Sequence, residues 1–232
     1  MRVAIHQPHY MPWLGYLRKI KEADIFVYLD KVMYIRHGYQ NRNRIFVNGR
    51  EHWLTIPVLT KGRHASQPIM DVRVNKSIHW ATKHHRTLLH NYKKIDENKR
   101  EMLDNFFRFD SDRLVDWSVR SVDLLCNVFG IETERISESA LGIKEPYPSS
   151  VKTKTEICTG RVIRICKELG ADIYLSGASR KEYIDKNLFG DIDFEYMEDL
   201  PESTLSALHF YLKDDIEALE STKRNHLSRG ES

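Results

Sequence analysis

Residues 1–30 read MRVAIHQPHYMPWLGYLRKIKEADIFVYLD. Val3-Ala4-Ile5 is a short unbroken apolar run, as in a strand covered on both faces. A Pro-broken loop follows, from His6 to Trp13. Leu14, Leu17 and Ile20 then recur at helical spacing within Leu14–Ala23, and Ile25 to Leu29 is a second buried strand ending in Asp30. Strand, loop, helix and strand in so short a stretch make a βαβ unit, which demands a parallel sheet. Ligands of such sheets bind beyond the carboxyl ends of the strands. The His6–Trp13 loop and Asp30 therefore share the ligand-binding edge.

Outward from this unit, Ile45-Phe46-Val47, the turn dipeptide Asn48-Gly49 and His52 to Val58 predict a strand pair. Helices are expected over Lys76–Tyr92, Glu97–Phe107 and Asp112–Phe129, the last with Gly130 as its stop signal. Thr153 and Glu156 have capping-box spacing and open a helix through Leu169, stopped by Gly170. Ile173-Tyr174-Leu175 is a further buried strand, ending in Ser176-Gly177. The expectation is an α/β fold over residues 1–212: a parallel-sheet, nucleotidylyltransferase-like core with a β-rich insertion at 36–75 and a helical segment at 76–130. Residues 213–232 read as a charged C-terminal tail, helix fading into disorder.

The chain has 232 residues, 41% hydrophobic and 30% charged, which excludes collagen-like and wholly disordered classes. No apolar run reaches the ~20 residues of a membrane helix. The N-terminus lacks the apolar core of a signal peptide, and Cys126, Cys158 and Cys166 are too few for a disulfide framework. A cytoplasmic protein with buried, unreactive cysteines is expected. The formal net charge is only +3, yet Arg36 to Lys94 holds twelve Lys or Arg against Glu51 and Asp71, and seven of the eleven His. Such a regional excess points to an anionic, phosphate-bearing small molecule as partner, with nucleic acid as the other anionic candidate.

Four segments bear chemistry. In the first loop, His6, Gln7 and His9 directly follow a strand and precede a helix N-terminus, where backbone N–H groups and the helix dipole favour anions. The layout is similar to the HxGH loop of nucleotidylyltransferases, with His-x-x-His here and the glycine, Gly15, later. Asn41-Arg42-Asn43-Arg44 packs two guanidinium forks and two amides into four residues, suited to phosphate or carboxylate. On the predicted helix from Lys76, His79, Lys83, Arg86, His90 and Lys93 or Lys94 form one cationic stripe, with Trp80, His84 and Leu88 on a neighbouring face. Ser176-Gly177-Ala178-Ser179-Arg180-Lys181 is a small-residue loop at the sheet edge, without P-loop or dinucleotide-fold spacing. His6 and His9 lack the further ligands of a zinc site, so no metal and no cofactor is expected. There is no GxSxG elbow.

IHQPHYMPWLGYLRKIKEADIFVYLD, NRNRI, WLTIPV, HWATKHHRTLLHNY and ADIYLSGASRKEYID together resemble the WbqC-like family, in order, over roughly residues 1–194. The likeness ends at EYMEDLPESTLSALHFYLKDDIE, where family members carry a Tyr-Pro-Gln segment and an apolar final helix. The resemblance implies a transferase, linked either with O-antigen and other surface-glycan assembly or with joining an amino acid to an activated pyrimidine in phage DNA. A non-enzymatic nucleic-acid or glycan-binding module is the rival reading. For a transferase acting on a phosphate-activated sugar or nucleotide, His6 and His9 would stabilise phosphate charge or move a proton. Asp30 would orient a hydroxyl or amine. Arg42, Lys83 and Arg86 would bind phosphates, and Tyr10, Trp13 and Tyr16 would wall a ring pocket. Gln7, Lys19, Asn41, Asn43, His84, Ser176 and Gly177 complete the expected ligand contacts.

Overall fold

The computed structural model describes residues 1–59, 67–143, 153–177, 184–197 and 203–220. Five strands form one sheet: β1 (Arg2–His6), β2 (Ile25–Tyr28), β5 (Glu134–Ser137), β6 (Ile173–Ser176) and β7 (Asp193–Tyr196). Their order is β5-β2-β1-β6-β7, and every pairing is parallel. The fold is α/β, and the opening βαβ unit is its centre, with α1 (Leu14–Lys21) joining β1 to β2. The antiparallel pair β3 (Arg42–Val47) and β4 (Arg50–Thr55) turns at Asn48 and Gly49, both at positive φ.

Strand alternation splits the core into two layers. Ala4, Phe26 and Tyr28 face the larger cluster, built with α1, α2 (Trp80–Asn91), α3 (Glu97–Phe107), α4 (Leu114–Val128) and α6 (Ala207–Tyr211). Val3, Ile5, Val27, Leu29 and Tyr174 face the smaller one, closed by Val162, Ile165 and Cys166 of α5 (Lys154–Glu168). Two covered faces explain why β1 and β2 read as unbroken apolar runs.

Most expected elements fall within a few residues of their places. α2 starts at Trp80 rather than Lys76, because Asn75 Oδ1 accepts from the Ser77 amide and hydroxyl and holds a turn there. The capping box of α5 is formed, with Thr153 Oγ1 accepting from the Glu156 amide. β5, β7 and α6 are additional elements. Within the segment read as a charged tail, Ile216–Leu219 forms a 3-10 turn whose Ala218 and Leu219 join the larger core cluster. Residues 178–183, with most of the small-residue loop that begins at Ser176, and Lys61, Arg63 and His64 of the basic block lie outside the described residues. No helix among the described residues is long and apolar enough to cross a membrane.

Candidate active site at the head of the parallel sheet

β2 lies on one side of β1 and β6 on the other, so the strand order reverses between β1 and β6. A crevice opens beyond the strand ends at such a switch point. Here the β1–β6 ladder stops at Ala4 and Leu175. Past that point Lys19, only 3% exposed, sends its ammonium from α1 to donate to the Ile5 carbonyl at 2.9 Å. His6, Gln7, Ser176 and Gly177 continue from the ends of these two strands.

The histidines meet in an aromatic cluster. The rings of His6 and His9 lie 4.7 Å apart edge to face, and both pack on Tyr16, at 4.9 and 5.1 Å. Tyr39 covers the other side of His9 at 5.6 Å. His6 Nδ1 lies 3.0 Å from the Gln7 carbonyl, which only accepts, so Nδ1 carries the hydrogen and Nε2 is the basic nitrogen of the neutral ring. The Tyr16 hydroxyl donates to the same carbonyl at 3.0 Å, and Gln40 Nε2 donates to Gln7 Oε1 at 2.7 Å.

The loop holding these groups is pinned from two sides. Met11 sits at φ 46°, a left-handed conformation that costs a non-glycine residue on the order of 1 kcal/mol or more. Its amide donates to Ser121 Oγ at 2.8 Å, and its carbonyl accepts from Asn43 Nδ2 at 2.6 Å. Ser118 Oγ donates to the Gln40 carbonyl, so α4 also holds the segment that carries Gln40 and Tyr39. Trp13 caps α1 with its ring across Gly15: a Cβ there would lie 2.3 Å from the indole.

The sequence-predicted residues separate into groups. His6, Gln7, His9 and Tyr16 come together, with Lys19 and Ser176-Gly177 at the neighbouring strand ends. Asn41, Arg42, Asn43 and Arg44 divide by alternation. Asn41 and Asn43 are buried and hold main chain, Asn41 Nδ2 donating to the Ile56 carbonyl. Arg42 and Arg44 turn the other way, over Trp53 at 4.2 and 5.2 Å, and Trp53 meets Tyr39 at 6.0 Å.

Tyr10 and His84 are not at the crevice. Both are core residues, joined Tyr10 hydroxyl to His84 Nδ1 at 3.1 Å. Burial pushes the His84 pKa down to about 3, against a backbone hydrogen bond with Thr55 that favours protonation. Lys83 and Arg86 are exposed on the outer face of α2. Asp30 is buried at the end of β2, where Ser139 donates to it from its amide, at 3.0 Å, and from its hydroxyl. Its carboxylate faces a different cavity, beside α4.

Sequence reading missed Tyr39, Gln40, Ser118 and Ser121. The signal for the serines was present: two hydroxyls at i and i+3 within the otherwise apolar stripe of α4. Tyr39 and Gln40 gave none, because only the chain's path brings them over the first loop.

Among known proteins, the chain is 28% identical over 194 residues to "Uncharacterized protein Rv1507c" of Mycobacterium tuberculosis, covering 82% of this chain and 78% of that one. No solved structure matches. The WbqC-like protein family matches from residue 7 to residue 203, taking in the first loop from Gln7 onward, the β3–β4 pair, α2 and the β6 strand end. The chain therefore belongs to the WbqC-like protein family.

Proposed function

We propose that the protein is a transferase that takes a phosphate-activated sugar or nucleotide at the β1–β6 crevice and passes a group to an acceptor hydroxyl or amine. The observation that carries this is the grouping of His6, His9, Gln7 and Tyr16 at the strand end beside the switch point. The acceptor oxygen or nitrogen forms the new bond to the donor's electrophilic centre, and its proton passes to His6 Nε2. The bond to the leaving phosphate oxygen breaks, and that oxygen departs with the electron pair as an anion. His9 and the buried Lys19 ammonium offset its charge. In a WbqC-like protein this chemistry fits surface-glycan assembly of the O-antigen type.

Thermal shift with a panel of nucleoside diphosphates and nucleotide sugars tests the donor site. A ligand at ~100 times its dissociation constant stabilises by ~2.7 kcal/mol. At least one of them is expected to raise the melting temperature of the wild type and to lose that effect in His6→Ala, whose own fold stays intact by circular dichroism. A wild type that none of them shifts, or a His6→Ala variant that responds fully, overturns the reading.

A second reading, transfer onto an activated pyrimidine in DNA, draws on the β3–β4 pair. Trp53, 39% exposed, lies against the Arg42 and Arg44 guanidinium groups, and an aromatic face flanked by cations suits a splayed base. Binding of single-stranded DNA with a steep log–log salt slope supports it. Nucleotide-sugar binding with none to DNA removes it.

A further inference from the structure

A cavity of about 720 Å³ lies between α3, α4 and the C-terminal ends of β2 and β5, within the size range of small-molecule sites. None of the His6–His9–Tyr16 cluster lines it. α4 turns Asp116, Arg120, Asp123 and Asn127 toward it, at helical spacing, while Ser118 and Ser121 on the opposite flank hold the histidine loop.

The charges around this cavity do not all cancel internally. Arg113 pairs with Asp116 at 2.7 Å, and Asp123 pairs with Arg135 at 2.9 Å. Arg120 and Asp30 are left. The Arg120 guanidinium lies over the Phe109 ring at 4.7 Å and donates to the Asn105 carbonyl. Among the described residues it has no carboxylate within ion-pair distance. Asp30 is 3% exposed and accepts from Ser139 alone among side chains, with no cation of the described residues paired to it. A carboxylate has about four lone-pair positions, so two hydrogen bonds leave it capacity, and a buried carboxylate without a counter-charge is costly. One unmatched cation and one unmatched anion facing one space call for a ligand that brings both opposites. Asn105, Asn127 and Ser137 add neutral hydrogen-bonding groups suited to hydroxyls, and Phe109 and Val119 add apolar wall for C–H faces.

We infer that this cavity is a second ligand site and that it takes an anionic amino sugar, with the amine on Asp30 and the phosphate or carboxylate on Arg120. Binding here is independent of the transfer chemistry proposed for the β1–β6 crevice.

Isothermal titration of the full chain with four probes tests it. Glucosamine 6-phosphate and 2-amino-2-deoxyglucuronate carry both charges and differ in the anion. Glucose 6-phosphate lacks the amine, and glucosamine lacks the anion. At least one doubly charged probe is expected to bind about tenfold or more tighter than either truncated one, the scale of one charged hydrogen bond. Asp30→Asn removes the preference for amine over hydroxyl, and Arg120→Gln removes the preference for the anion. Equal affinity for all four, no binding at about 10 mM, or preferences unchanged in both variants overturns the assignment. Nucleotide binding that depends on His6, with no amino sugar bound, refutes the cavity assignment and leaves the transferase reading standing. Amino-sugar binding with no nucleotide bound does the reverse.

Discussion

At the scale of single residues, burial separates the histidine that reaches solvent at the strand end from those that only pack. His6 stays partly exposed, at the strand end, with its tautomer set by the Gln7 carbonyl. His84 and His209 are buried against Tyr10 and Tyr92, and burial lowers their pKa values to about 3 and about 4. For His84 this has a measurable consequence. In the unfolded chain the ring takes a proton below its ordinary 6.5, whereas in the folded chain it does so only near about 3. Between those values the unfolded state binds more protons, so the stabilisation is complete above pH 6.5 and is lost as pH falls toward 3. The slope reaches about 1.4 kcal/mol per pH unit for one such group. Urea unfolding from pH 7 to pH 4 should show this loss, and His84→Gln should flatten it; an unchanged slope in the variant would contradict the assignment. Composition does not distinguish His84 from His6. The helical spacing of Trp80, His84 and Leu88 does identify an inward face, and the structure confirms it.

At the scale of elements, periodicity explains most of what was legible. α4 was readable because its apolar stripe repeats over four turns. β5 and β7 were not, since they are the edge strands of the sheet, and ERIS and DFEY carry the charges that edges tolerate. Asn41-Arg42-Asn43-Arg44 looks like one ligand-binding unit in sequence, but a strand sends alternate residues to opposite faces. The amides therefore became braces and the guanidinium groups went to Trp53. The junction of the first loop with α1 depends on a close approach at Gly15. An alanine methyl would meet the Trp13 indole at 2.3 Å, so Gly15→Ala should cost about 1–3 kcal/mol as an overpacked site. Thermal melts check this, and Trp13→Ala in the same chain should recover much of the loss. Unaltered stability of the single variant would show that the ring is free to move.

At the scale of the whole molecule, contacts distant in sequence tie the layers together. Glu138, at the end of β5, is buried and receives two hydrogen bonds from Arg161 of α5, at 2.7 and 3.0 Å. Burial outweighs the arginine and leaves the Glu138 pKa raised, with Asp30 nearby adding to it. Arg161→Met should therefore lower stability by about 3 kcal/mol, the scale of removing one partner from a buried ion pair, and the pair Glu138→Leu with Arg161→Met should restore most of it. Chemical denaturation of Arg161→Met, Glu138→Leu and the double variant decides this; additive losses would exclude the coupling. The basic block illustrates the same scale. Arg44, Arg73 and Lys76 pair with Glu51, Asp112 and Asp110, two of which lie beyond the block, while Lys83, Arg86 and His90 remain in solvent. Among the described residues, the regional charge excess is divided between ion pairs and solvent-exposed side chains.

Sequence by itself determined the parallel α/β core, because two unbroken apolar strands around a short amphipathic helix leave no other arrangement that buries them. It also located the histidine loop at the C-terminal edge of the sheet, and its resemblance to the WbqC-like family holds. Only the tertiary structure decided which polar residues face that edge. A side chain's role depends on what packs against it, and here that is set by strand alternation, by the return of residues 39–43 over the first loop and by the two flanks of α4. These contacts join residues as much as 110 positions apart, which no local pattern encodes.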